Sequence, residues 1–199
     1  MYINLNHRTD RNSQVLSELK KVFSPSQIIR QQAVYTPHMS GIGCAQSHIN
    51  CIKYAIENNL DNILIVEDDF SFTASPEQVN EKINHLYNST NSFTSFDICL
   101  FAHHLFDSNK IDEHLSRLLN VQTTSCYLLN KKFYNTLLQN FEEARSLLSA
   151  NTRLYDKYAI DQYWKKLMKD NIFIGFTPAI GKQRPSYSDI EHKFITPDW

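Results

Sequence analysis

"NILIVEDDF", residues 62–70, runs four aliphatic side chains directly into three carboxylates. Ile63, Leu64, Ile65 and Val66 show no polar alternation, which is the pattern of a strand covered on both faces in an α/β sheet. Glu67, Asp68 and Asp69 then crowd like charges onto the end of that strand. Such crowding is costly unless a cation or basic group offsets it. Strand alternation would place Glu67 and Asp69 on one face and Asp68 on the other. An all-oxygen ligand set suits Mg²⁺ or Mn²⁺, ions that bridge carboxylates to a diphosphate.

The flanking sequence supports an α/β reading. "YINL" predicts a first strand and is followed by "HRTDR", then by a helix carrying Val15, Leu16, Leu19, Val22 and Phe23 on one face. "IIRQQAVY" predicts a second strand, and the helix after "SGIGCAQSH" repeats Ala45, Ile49, Ile52 and Ile56. Beyond the acids come a Ser-capped helix from Pro76, strands at "FDICLFAHH" and "TTSCYLLN", and a helix defined by Phe133, Leu137, Phe141, Ala144 and Leu148. A helix with Ile160, Trp164, Leu167 and Met168 precedes a last strand, "IFIGFTP". Alternation of this kind predicts a mainly parallel central sheet flanked by helices.

At 199 residues, 42% hydrophobic and 21% charged, the chain fits a single domain, 1–199, with residues 175–199 as a C-terminal segment. A formal charge of −1 without a Lys/Arg run argues against nucleic acid as a partner. Cys44, Cys51, Cys99 and Cys126 lack CxxC spacing and read as reduced core residues. No run reaches membrane-spanning length and the first apolar stretch is too short for a signal peptide, so the expected location is cytoplasmic. Nothing in the sequence fixes the oligomeric state.

Ligands of a parallel α/β sheet bind beyond the carboxyl ends of its strands, where "NHRTDR", "EDD" and the His103-His104 pair all fall. These clusters are expected to share a cleft. Asn4, Arg8 and Arg11 offer amide and guanidinium donors suited to a nucleotide or diphosphate, although the two arginines taken alone read as a solvated pair with a capping Asp10. Gly41 and Gly43, two of only four glycines, mark a close backbone approach or positive φ before a helix whose first turns bring Ser47 and His48. Asp161 stands near a helix start, where many carboxylates merely stabilise the helix.

Taken in order, "INLNHRTDR", "SGIGCAQSH", "ILIVEDDF", "AIDQYW" and "GKQRPSYSDIE" resemble glycosyltransferase family 25, which includes lipooligosaccharide and collagen hydroxylysine galactosyltransferases. The likeness runs from Ile3 to Glu191. It implies a GT-A type nucleotide-sugar fold and inverting transfer of a hexose, galactose favoured, from a UDP-sugar to a hydroxyl on a glycan or protein. On the resemblance, Asp69 with Glu67 or Asp68 would hold Mn²⁺, with Mg²⁺ as the substitute. Asn4, Arg8 and Arg11 would line the nucleotide pocket, and Ser47 and His48 would border the donor. Asp161 would be the base on the acceptor side, with Asp189 as second choice. Gln183, Ser188 and Asp189 would belong to a C-terminal segment closing over the site. "AIDQYW" departs from the family's Val-Asp-Glu pattern by lacking the second acid. The acids alone would also serve a metal-dependent phosphotransferase or an inactive nucleotide-sugar binding module.

Overall fold

The aliphatic run of residues 63–66 lies at the middle of the molecule. In a computed structural model, which describes residues 1–89, 96–188 and 193–196, it forms most of strand β3 (Asn62–Glu67). The strands before it are β1 (Tyr2–Asn4) and β2 (Arg30–Gln32), with helices α1 (Thr9–Leu19) and α2 (Ser40–Glu57) between them and β3. After it come β4 (Phe70–Phe72), helix α3 (Pro76–Ser89), β5 (Ile98–Leu100), β6 (His104–Lys110), β7 (Leu115–Gln122) and β8 (Cys126–Asn130). Helices α4 (Tyr134–Ala150), α5 (Tyr155–Tyr158) and α6 (Ile160–Tyr163) lead to β9 (Phe173–Phe176), β10 (Gly181–Gln183), β11 (Ser186–Ser188) and β12 (Lys193–Ile195).

Eight strands form one sheet in the order β2-β1-β3-β8-β5-β9-β7-β6. Six run one way, and β7 and β8 run against them, so the sheet is mixed in its pairing although most strands share a direction. Helices cover both faces. Ile49 and Ile52 of α2, Leu137 and Phe141 of α4, and Trp164 form a core on one side with Ile65, Tyr127 and Leu129. Val15 and Leu19 of α1, with Val79 and Leu86 of α3, pack on the other side against Val66, Leu128 and Ile174. Covering both faces is what makes the unalternated Ile63–Val66 run stable as a strand. Every residue expected on the inner stripe of α4 is buried. On α2 the stripe turns instead through Cys51 and Ala55, and Ile56 is exposed.

Three expectations change. Positions 160–168 form not one helix but the single-turn α6 and a 3₁₀ segment, Trp164–Leu167, which still buries Trp164 and Met168. Gly41 and Gly43 lie inside the first turns of α2 rather than before it, and neither has a positive φ. Close approach is the part of that reading that holds: a Cβ on Gly43 would collide with the Val34 carbonyl and the Thr36 hydroxyl. Finally, β6 and β7 form an antiparallel hairpin in a stretch whose polar residues conceal its strand character. Among the described residues no helix is long and apolar enough to cross a membrane.

Candidate functional site

A cleft opens at the carboxyl ends of β1 and β3. Asn4, Arg11, Ser47, His48, Glu67, Asp68, Asp69 and Gln183 all line it, so most of the residues expected from sequence converge there. Val34, Tyr35, Thr36, Ser40 and Cys44, from the β2–α2 connection and the start of α2, complete the wall.

The three acids do not alternate as a strand would require. β3 ends at Glu67 and the chain turns at Asp68, so the two aspartates fall together and the glutamate stands apart. Arg11 reaches both aspartates through one nitrogen, 2.8 Å from Asp68 Oδ1 and 3.5 Å from Asp69 Oδ2. Its other terminal nitrogen donates to Ser186 Oγ at 2.5 Å and to the Tyr187 carbonyl at 2.8 Å, joining α1 to β11. Asp68 also accepts from the Asn4 amide at 2.8 Å. Gln183 donates to Asp69 Oδ2 at 3.1 Å, and the Arg184 N–H donates to the Asp69 carbonyl. Glu67 Oε1 instead accepts from Thr124 Oγ1 at 2.7 Å and lies 3.1 Å from His48 Nε2, whose ring meets the Tyr127 hydroxyl through Nδ1 at 3.0 Å.

The electrostatics follow from this division. Burial pushes the Asp69 carboxyl up to about 7, the neighbouring Glu67 and Asp68 adding to the effect and Arg11 offsetting part of it. Burial and Glu67 likewise raise Asp68 against the pull of Arg11 and Asn4. Glu67 moves the other way: burial would raise it, but the contacts with His48 and Thr124, helped by Arg11, hold it below the ordinary glutamate range.

Several residues expected to offer donors to a ligand are engaged elsewhere. The Asn4 amide donates to Asp68 and to the Arg8 carbonyl, and its oxygen accepts from Arg30 at 2.7 Å. Ser47 Oγ donates to the Gly43 carbonyl and accepts the Val34 N–H, tying α2 to the connection before it. Arg8 lies outside the cleft lining, paired with Asp10 at 3.0 Å and donating to the Tyr187 carbonyl. Asp161, half-buried, is not among the lining residues; its Oδ2 accepts the Thr123 N–H at 3.2 Å. Burial raises its carboxyl and Glu67 adds to that, although the Thr123 N–H opposes them. Asp189 lies outside the described residues, and for Ser188 only the backbone of β11 is described.

The histidine pair does not join the cleft. His103 is buried in a separate groove beside Thr73, Lys82, His114 and Lys182, and His104 begins β6. Sequence reasoning also missed Arg30, Cys44, Thr124 and Tyr127. Thr124 escaped because β8 runs antiparallel, which brings its beginning, not its end, to the site; the Glu67 N–H donates to the Ser125 carbonyl at 2.8 Å. Cys44, expected in the core, is half-buried on the cleft wall, whereas Cys51, Cys99 and Cys126 are buried as expected; all four thiols are free.

The profile of a family described as Glycosyltransferase family 25 (LPS biosynthesis protein) matches residues 12–164, a span holding Gly41 to His48, the three acids and Asp161. The chain belongs to glycosyltransferase family 25. Membership makes this family 25 chain a glycosyltransferase, with a sugar donor and an acceptor as its partners. Among curated proteins none matches it at a significant level. Solved structures similar to it include A197 from STIV, at 10% identity and TM-score 0.47, with 92% of this chain and 87% of that one covered. A UTP-bound UGPase from Acinetobacter baumannii aligns at 10% identity and TM-score 0.45, over 84% of this chain and 59% of that one. A putative glucose-1-phosphate thymidylyltransferase from Bacillus anthracis, in complex with a sucrose, aligns at 12% identity and TM-score 0.42, over 87% and 65% respectively.

The residues of this family 25 chain fit a hard divalent cation. Asp69 Oδ1 is buried and has no hydrogen-bond partner, an uncompensated position for a carboxylate oxygen. Arg11 supplies one positive charge against Asp68 and Asp69, and the Asp69 carboxyl stays elevated because burial, with the charges of Glu67 and Asp68, outweighs it.

Proposed function

We propose that the protein is an inverting, metal-dependent transferase of GT-A type that moves a hexose, galactose favoured, from a UDP-sugar to a hydroxyl of a glycan or protein acceptor. The observation that carries this reading is the unpartnered Asp69 Oδ1 in a cleft walled by acids and Arg11, within a chain of this family. Asp69, with Glu67 or Asp68, would hold Mn²⁺ or Mg²⁺, which supplies positive charge to the departing diphosphate. Arg11 adds a fixed guanidinium beside the same carboxylates. Asn4 acts through Asp68, holding its Oδ2 with the amide, and Gln183 acts through Asp69 in the same manner. His48 and Thr124 fix the rotamer of Glu67.

Inversion requires one general base for the attacking hydroxyl. Asp161 suits that role because burial and Glu67 raise its proton affinity, and it is tied to the β7–β8 connection whose Thr124 holds Glu67. The proton would pass from the acceptor hydroxyl to the Asp161 carboxylate as the oxygen bonds to the anomeric carbon and the bond to UDP breaks.

The deciding experiment is a screen of UDP-sugars for transfer and hydrolysis with and without Mn²⁺. Asp69→Asn should lower Mn²⁺-dependent turnover by about 100-fold or more, since charge neutralisation of this kind is worth several kcal/mol. The same change removes a repelled buried charge, so metal-free stability should hold or rise. Turnover that neither needs a divalent cation nor responds to Asp69→Asn would exclude the metal-dependent reading.

A further inference from the structure

Cys44 and His48 lie four residues apart on α2, one above the other on the face that meets the cleft. Opposite them stands Glu67 at the end of β3. The three available ligand atoms, a thiol sulfur, an imidazole nitrogen and a carboxylate oxygen, all lie within 4.8 Å of one another. This grouping differs in chemistry from the oxygen cluster of Asp68 and Asp69, which Arg11 holds while His48 contacts Glu67.

We propose that Cys44, His48 and Glu67 form a second cation site, selective for a thiophilic divalent ion such as Zn²⁺. A sulfur, nitrogen and oxygen set suits Zn²⁺, whereas Mn²⁺ and Mg²⁺ prefer oxygen alone. Bonds of about 2.0 to 2.3 Å draw such ligands to within about 4 Å of each other, a contraction that rotation of the half-buried Cys44 side chain supplies. The surroundings already orient the other two ligands. The Tyr127 hydroxyl meets His48 Nδ1, so the tautomer that keeps its proton there leaves the Nε2 lone pair for the ion. Thr124 donates to Glu67 and holds its carboxylate in place. All three ligands line the cleft, from which a water would complete the coordination, and the proton of the Cys44 thiol would leave to water as the thiolate binds. Because Glu67 would be shared, an ion held here withdraws that carboxylate from the Asp69 side. The proposal does not rest on the transferase reading: Glu67 is common to both, but the test reads metal binding at Cys44 and not sugar transfer.

Cobalt reports such a site directly. Adding Co²⁺ to the native protein should produce a thiolate-to-cobalt charge-transfer band that one equivalent of Zn²⁺ abolishes, and Cys44→Ser should eliminate the band. Alkylation of the native protein with iodoacetamide, mapped by peptide mass, provides a reading that needs no variant: Zn²⁺ should protect Cys44. A native protein with no such band, a band that persists in Cys44→Ser, or Cys44 alkylation unaffected by Zn²⁺ would each overturn the proposal.

Discussion

Arg8 and Arg11 look interchangeable in "HRTDR", yet their surroundings differ sharply. Both reach the Tyr187 carbonyl of β11, but Arg11 is buried on two carboxylates, whereas Arg8 pairs with the exposed Asp10 outside the cleft. Arg11→Ala leaves Asp68 without its cation in a buried site and should cost about 3–5 kcal/mol of stability. Arg8→Ala leaves no buried charge behind, because its partner Asp10 is exposed, so it should cost less than Arg11→Ala, about 1–2 kcal/mol, and leave UDP·Mn²⁺ affinity unchanged in calorimetry. Urea unfolding of the two variants side by side tests the contrast; equal losses would show that burial does not separate them. At this scale the sequence disclosed which residue types gather at the site but not what they do there. Asn4, Ser47 and His48 reach the cleft as expected, yet their polar atoms are largely engaged in orienting neighbours, a division set by partners distant in the chain.

Among the elements, those with a continuous apolar run or a clear helical stripe were legible. β3, β8, β9 and α4 appear where the pattern places them, because burial on both faces or along one stripe leaves a signature in composition. The β6–β7 hairpin was not legible: β6 is an edge strand with exposed Phe106, Asp107 and Lys110, so it never acquires a buried pattern. The short α6 follows the same logic, since one turn is too brief for periodicity to define it. Its one acid nevertheless matters. Asp161 accepts the N–H of Thr123, a residue at φ 77°, and so fastens α6 to the β7–β8 connection that carries Thr124. Asp161→Asn keeps an acceptor oxygen at that position, so thermal stability should change little while sugar transfer falls by roughly 10² to 10⁴. Near-normal transfer in a well-folded variant would reduce Asp161 to its structural tie.

At the scale of the whole molecule, His103 couples global stability to pH. Burial lowers its imidazole from the ordinary 6.5 to about 4, so the folded protein holds it neutral where the unfolded chain would take up a proton. The unfolded state therefore binds more protons between those values. The contribution is complete above pH 6.5 and is lost as pH falls toward about 4, a difference of up to about 3 kcal/mol. Urea midpoints of the native protein and His103→Asn across that interval should converge as pH falls; parallel curves would remove His103 as the cause.

The strand order also dictates when the protein can assemble. β8 lies between β3 and β5 although it follows both in the chain, and β9 completes the far side of β5 only at residues 173–176. A ribosome that has released the first hundred residues has delivered β3 and β5 but nothing to place between them. Their apolar edges stay open until the later strands emerge. Because pairings so distant in sequence form slowly, the nascent chain is committed to a prolonged interval in which its future centre is exposed, and a chaperone acting during synthesis would find its target there.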